Sequence, residues 1–201
     1  RRTLISVLVA MATLSPVALA ADSDLSKARD SFEKGDLRTA GIELKNALQK
    51  DPGNADARLL LGELYLKLGN GAAAEKEFRR ADELGTDPLR WRVPLAKALI
   101  LRGEYAEALT RLEAATDLPP LEQAAVWAQR GQAQLGLERP QQAQEAFDTA
   151  VQLDPNQSAA IMGLIRLAMV AGDETKATKL TDDLIGRRPD DTDAILIRAE
   201  L

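Results

Sequence analysis

The stretch ADARLLLGELYLKLGNGAAAEKEFRRADELGTDP, Ala55 to Pro88, decides how the chain folds. Leu61, Gly62 and Tyr65 fall at helical spacing in its first half. Ala74, Phe78 and Ala81 follow at i, i+4 and i+7 in its second, and so share one helix face. Between the halves, Gly69 offers the left-handed residue that ends a helix, and Asn70 a side-chain oxygen that caps the next one. The stretch therefore predicts two amphipathic helices joined by a tight turn. Gly62 and Ala74 let the backbones approach, while Tyr65 and Phe78 fill the space beside them. One such pair cannot bury its own apolar face, so neighbouring pairs must cover it.

The rest of the chain supplies the neighbours. A small-residue column reads Ala28, Gly62, Ala96, Gly131, then Ile165 as an exception, then Ala199, in steps of 34 residues with one of 35. An alanine column reads Ala40, Ala74, Ala108, Ala143, Ala177, and a bulky column Leu44, Phe78, Leu112, Phe147, Thr181. A further small column reads Ala47, Ala81, Ala115, Ala150, Leu184. Glycines recur at the turns, at Gly35, Gly69, Gly103 and Gly172, and prolines between units, at Pro52, Pro120, Pro155 and Pro189. An arbitrary alanine-rich bundle has no need of a fixed period. The pattern resembles the tetratricopeptide repeat. That resemblance implies an all-α fold, a right-handed α-solenoid of antiparallel helix pairs.

Composition narrows the chemistry. Aromatic residues make up 3% of the chain, which suits small and aliphatic residues packing helix on helix. There is no Cys, hence no disulfide, no thiolate nucleophile, no cysteine zinc site and no lipid anchor through Cys. There is no His, which removes Ser-His and Cys-His catalysis and the His-Glu zinc-protease motif. A formal charge of −5 argues against a nucleic-acid partner, because phosphate binding needs a basic face. No catalytic constellation, cofactor motif or metal-ligand set is visible. The carboxylate pairs Glu75/Glu77 and Asp182/Asp183 read as solubilising groups on solvated helix faces.

Residues 1–20 read as a signal peptide. Arg1 and Arg2 form a short basic region, Leu4 to Leu14 an apolar run broken by Pro16, and Ala18-Leu19-Ala20 the small residues a signal peptidase recognises. Cleavage after Ala20 is expected, leaving 24 basic against 31 acidic residues, a charge of −7, with no transmembrane span and an exported, periplasmic or secreted location. The rival reading is an uncleaved membrane anchor. Five repeats then span 21–191, as 21–54, 55–88, 89–122, 124–157 and 158–191, with Gln123 a one-residue insertion. Residues 192–201 start a sixth, and the chain is expected to be the front of a longer array. Asp36 is placed to cap a second helix. Pro94 falls inside the predicted first helix of the third repeat, so a late or kinked start is expected there, with Arg90-Trp91-Arg92 partly in the preceding connection. In the fourth repeat Glu138 stands where the other turns have glycine, Gly136 comes two residues early, and Pro140 opens the second helix. In the fifth, Gly163 is placed to supply the close contact that Ile165 denies.

The repeat resemblance also implies a site. First helices of such arrays line a concave groove, where partner proteins or peptide segments bind. By register, one groove column reads Arg29, Glu63, Lys97, Gln132, Arg166, and a flanking apolar column Leu25, Leu59, Val93, Ala128, Met162. The expected contacts are Arg29, Glu63, Lys97, Gln132 and Arg166 with Leu59, Val93 and Met162, facing an extended or acidic segment. The alternative is an ordinary solvated inner face. The Lys and Asn pair with which chaperone-adaptor members of the family bind a terminal carboxylate is matched here by Leu25 and Arg29, so that role is not expected.

Two stretches, KARDSFEKGDLRTAGIELKNALQKDPGNADARLLLGELYLKLGNGAAAEKEFRRA and VPLAKALILRGEYAEAL, further resemble the long tetratricopeptide proteins of bacterial PEP-CTERM/exosortase and exopolysaccharide systems. This implies an exported, non-enzymatic interaction scaffold. The alternatives are the substrate-presenting region of a longer enzyme, such as a glycosyltransferase, and a periplasmic chaperone or pilot of a secretion or pilus apparatus.

Overall fold

The computed structural model describes residues 16–113 and 118–201, with side chains described from Asp22 onward. Arg1, Arg2, the Leu4 to Leu14 run and Ala115 lie outside these residues. Eleven helices follow one another without a strand among the described residues: α1 Pro16–Glu33, α2 Leu37–Lys50, α3 Ala55–Lys67, α4 Gly71–Glu83, α5 Pro88–Leu101, α6 Tyr105–Glu113, α7 Pro120–Gly136, α8 Pro140–Leu153, α9 Ser158–Val170, α10 Glu174–Arg187 and α11 Thr192–Glu200.

Local chemistry sets the turns. Gly69 has φ +69, its N–H donates to the Leu66 carbonyl, and the next N–H, of Asn70, reaches back to the Tyr65 carbonyl. Asn70 then turns its side-chain oxygen onto the Ala73 N–H and starts α4. Asp36 caps α2 in the same way through Thr39, and Asp173 caps α10 through Lys176. Glu138 takes the left-handed position of its turn with φ 58, and Pro140 is the first residue of α8.

The columns are the core. Ala40, Ala74, Ala108, Ala143 and Ala177 are fully buried, and Leu44, Phe78, Leu112, Phe147 and Thr181 are at most 1% exposed. Gly62 admits the Phe78 ring, since a Cβ there would stand 2.6 Å from it. Ala199, the last of the small column, is exposed on α11, which packs on α10 through Ala194 and Ile197.

Three expectations are corrected. Residues 90–92 belong to α5, which starts at Pro88 and runs through Pro94. Asp87 caps it by accepting from the Leu89 N–H, and Trp91 is buried with its indole N–H donating to the Thr86 carbonyl. These anchors hold the first turn, so the helix tolerates the bond that Pro94 cannot make. Second, α7 begins at Pro120, so Pro120 to Glu122 open the fourth unit's helix, where proline is well placed at the first position. Third, Glu75 and Glu77 are buried. Both lie on the flanks of α4, in the seams with its neighbours, where each meets arginine: Glu77 with Arg58 at 2.7 Å, and Glu75 with Arg79 at 2.7 Å and with Arg102.

The packing defines an inside and an outside. First helix packs on first helix along the array, α1 on α3, α3 on α5, α5 on α7 and α7 on α9, whereas no comparable contact joins α2 to α4, α4 to α6 or α8 to α10 among the described residues. The closely spaced first helices are therefore the inner, concave layer.

Candidate partner-binding groove

The inner face carries the register column as a line of neighbours. Arg166 Nη1 donates to Gln132 Oε1 at 3.4 Å, across one repeat, and Gln132 Nε2 reaches the Ala159 carbonyl at 3.5 Å. At the other end Asp56 receives two arginines, Arg90 at 2.6 Å and Arg29 at 3.7 Å, so it ties α1, α3 and α5 together. Glu63 is exposed and stands among these groups, partly desolvated by the helices around it. Desolvation raises its carboxyl above the usual glutamate range, against the opposing pull of Lys97, Arg90, Arg29 and Lys67. Lys97 is exposed.

The flanking column lies deeper. Leu25, Leu59 and Ala128 are buried, and Val93 and Met162 are half-buried against the core. Leu59 also floors a cavity of about 280 Å³ bounded by Arg29, Phe32, Asp56, Glu63 and Arg90. The charged column thus faces the solvent and the apolar column holds the helices beneath it.

Register reading missed a second feature. A cleft of about 610 Å³ opens across α5, α7 and α9, lined by Ile100, Tyr105, Leu135, Leu167 and Val170, with Gln132 and Arg166 among its polar groups. Its signal in the sequence was the displaced Gly136, which lines it. Among the described residues no group of three or more acidic, His or Cys side chains is placed to hold a metal, and no helix is long and apolar enough to cross a membrane.

The tetratricopeptide-repeat family pattern matches residues 31–93 and 134–201, more than half of the chain. The chain belongs to the tetratricopeptide-repeat family. Among curated proteins it is 29% identical over 160 residues to the type IV pilus assembly protein PilF of Pseudomonas aeruginosa, covering 74% of this chain and 63% of that protein's length. Among solved structures it is similar to TTC0263, a tetratricopeptide protein of Thermus thermophilus, with a TM-score of 0.74 at 20% identity over 90% of this chain and 98% of that one. It is also similar to PilW, a type IV pilus biogenesis factor, with a TM-score of 0.72 at 21% identity over 88% and 82%. These structural likenesses place the fold, and the repeat family binds protein partners.

Proposed function

We propose that this chain is an exported, non-enzymatic scaffold that binds a protein or peptide segment along its first-helix groove and serves the assembly of a pilus-type envelope apparatus. In this reading residues 1–20 are removed and the repeats begin at Ala21. The observation that supports the binding role is the polar column on the inner helices, with Arg29, Glu63 and Lys97 near one another at one end and Gln132 bonded to Arg166 at the other. It lets one extended ligand touch several repeats. The likeness to PilF supports the pilus setting over the other envelope machines. A second setting, exopolysaccharide export, is favoured by the VPLAKALILRGEYAEAL stretch, whose proline is kept inside α5.

The test is capture from envelope extract with the full chain and with an Arg29→Glu, Lys97→Glu, Arg166→Glu variant of unchanged helicity, the bound proteins being identified by mass spectrometry. Pilus-assembly components should bind the wild type, release with rising salt and be lost from the variant. Identical capture and salt dependence for both proteins rule the groove out.

A further inference from the structure

We propose that the cleft across α5, α7 and α9 receives one large apolar side chain of a bound peptide, while Arg166 takes the side-chain carboxylate of an adjacent acidic residue. This rests on the groove reading and assigns the chemical class of its ligand.

The cleft arises from one missing side chain. The last position of the inner helices, two residues before each turn's left-handed residue, reads Glu33, Lys67, Leu101, Gly136, Val170. Gly136 contributes nothing to that row. The backbone cannot close the gap, because the Tyr105 ring lies across Gly136, where a Cβ would stand 2.3 Å from it. One seam earlier the sizes are reversed. There Gly71, the counterpart of Tyr105, lies against α5, and a Cβ on it would meet the Ala98 carbonyl at 2.7 Å and the Leu101 Cβ at 3.0 Å. That seam is filled; the next one is left open over the tyrosine.

The opening is apolar with one cation. Ile100, Leu135 and Leu167 line it, and Val170 stands bare at 84% exposure. Its volume falls within the ~300–1,000 Å³ usual for ligand sites. Arg166 lies one helical turn before Val170. Its partner is the neutral Gln132, and among the described residues no carboxylate comes within ion-pair distance of it, whereas Arg29 and Arg90 share Asp56. A guanidinium without a counter-charge beside an apolar slot favours a ligand with a carboxylate next to its hydrophobic residue. Glu138 also lines the cleft and disfavours a second acid beside it.

The experiment is selection of displayed random dodecapeptides against the full chain, followed by fluorescence-anisotropy titration of the enriched peptides. These should carry Phe, Tyr, Trp, Leu or Met within two residues of Asp or Glu, and binding that instead depends on a free C-terminal carboxylate overturns the proposal. Val170→Glu places a carboxylate one turn from Arg166 at an exposed position and should weaken binding at least tenfold with an unchanged melting profile. Arg166→Gln should do the same and flatten the salt dependence. The proposal is overturned if no peptide is enriched, if the enriched peptides lack that pairing, or if neither variant changes affinity. Loss of binding in Arg29→Glu, Lys97→Glu alone would keep the groove and discard the cleft, whereas indifference of every variant discards both. A wild-type dimer that Val170→Glu dissociates assigns the cleft to a second copy and also overturns the proposal.

Discussion

The ring of Phe147 lies where a Cβ on Gly163 would stand, 2.3 Å from the nearest ring carbon. Phe147 belongs to α8 and Gly163 to α9, so this contact joins one repeat to the next. Gly131 of α7 meets the same ring at 2.4 Å by the same measure. Two glycines thus seat one phenylalanine, and Gly163 replaces the small residue that the register would put at Ile165. Gly163→Ala should cost about 1–3 kcal/mol through overpacking, read as a lowered urea midpoint. Gly186→Ala is the control: nothing lies within 4 Å of a Cβ there, and alanine in a helix gains up to about 1 kcal/mol over glycine. Equal losses for the two variants would contradict the assignment.

Glu138 holds φ 58, a conformation that costs a non-glycine residue about 1–2 kcal/mol. Glu138→Gly should therefore raise stability by roughly 1 kcal/mol, and Glu138→Val, whose branched Cβ suits that region poorly, should lower it. Thermal melting of the three proteins in one buffer checks the order.

Acid should loosen the middle of the array. Burial pushes the Glu75 carboxyl up, but hydrogen bonds from Arg79 and Arg102 prevail and hold it below the glutamate value of 4.5. The Arg79 hydrogen bond does the same for Glu107 against its burial, helped by Arg111. A depressed carboxylate stabilises the fold above its unfolded pKa, and that contribution is lost as pH falls through the folded value. Stability should thus be level near neutrality and fall below about pH 4.5. The Glu75→Gln, Glu107→Gln protein should be weaker at pH 7 and shallower in its acid decline. Glu63 has the opposite sign: its raised pKa burdens the charged form, so Glu63→Gln should be the more stable protein at neutral pH, with the difference closing in acid. Denaturation midpoints across pH 3 to 7 at fixed salt, an interval set by these ~4–5 reference values, measure both.

The C-terminal end should open first. In α10 the position of Phe78 and Phe147 is held by Thr181, buried with its hydroxyl donating to the Ala177 carbonyl at 2.8 Å. It buries less apolar surface than a ring. Beyond it, Ile195 and Leu196 on α11 are exposed. Amide exchange should therefore be faster beyond Ser158 than in α3 to α6. Uniform exchange along the chain would contradict this.

Much of this was legible because the repeat writes each contact several times. Ala74, Phe78 and their counterparts fix helix, face and partner at once, and Glu138 could be placed in a left-handed turn purely by counting. Pro94 was misjudged because the anchors of its helix, Asp87 and the Trp91 indole, act from outside the repeat motif. Glu75 and Glu77 looked solvated because charge type says nothing of a seam whose arginines lie up to 27 positions away. The cleft escaped for a related reason: Gly136 reads as a misplaced turn residue until Tyr105, from another repeat, is seen lying on it.

The spacing of the two layers has a mechanical side. The inner helices lean on one another like the stones of an arch, while the outer helices reach the next repeat through its inner helix rather than through each other. Among the described residues one ionic strut crosses that outer row, Arg79 of α4 to Glu107 of α6 at 2.7 Å. That strut joins repeats two and three at their outer edge, a link the joints on either side do not have among the described residues. Because salt screens an exposed strut of this kind far more than it weakens apolar packing, rising ionic strength should loosen that outer edge while leaving the packed seams in place.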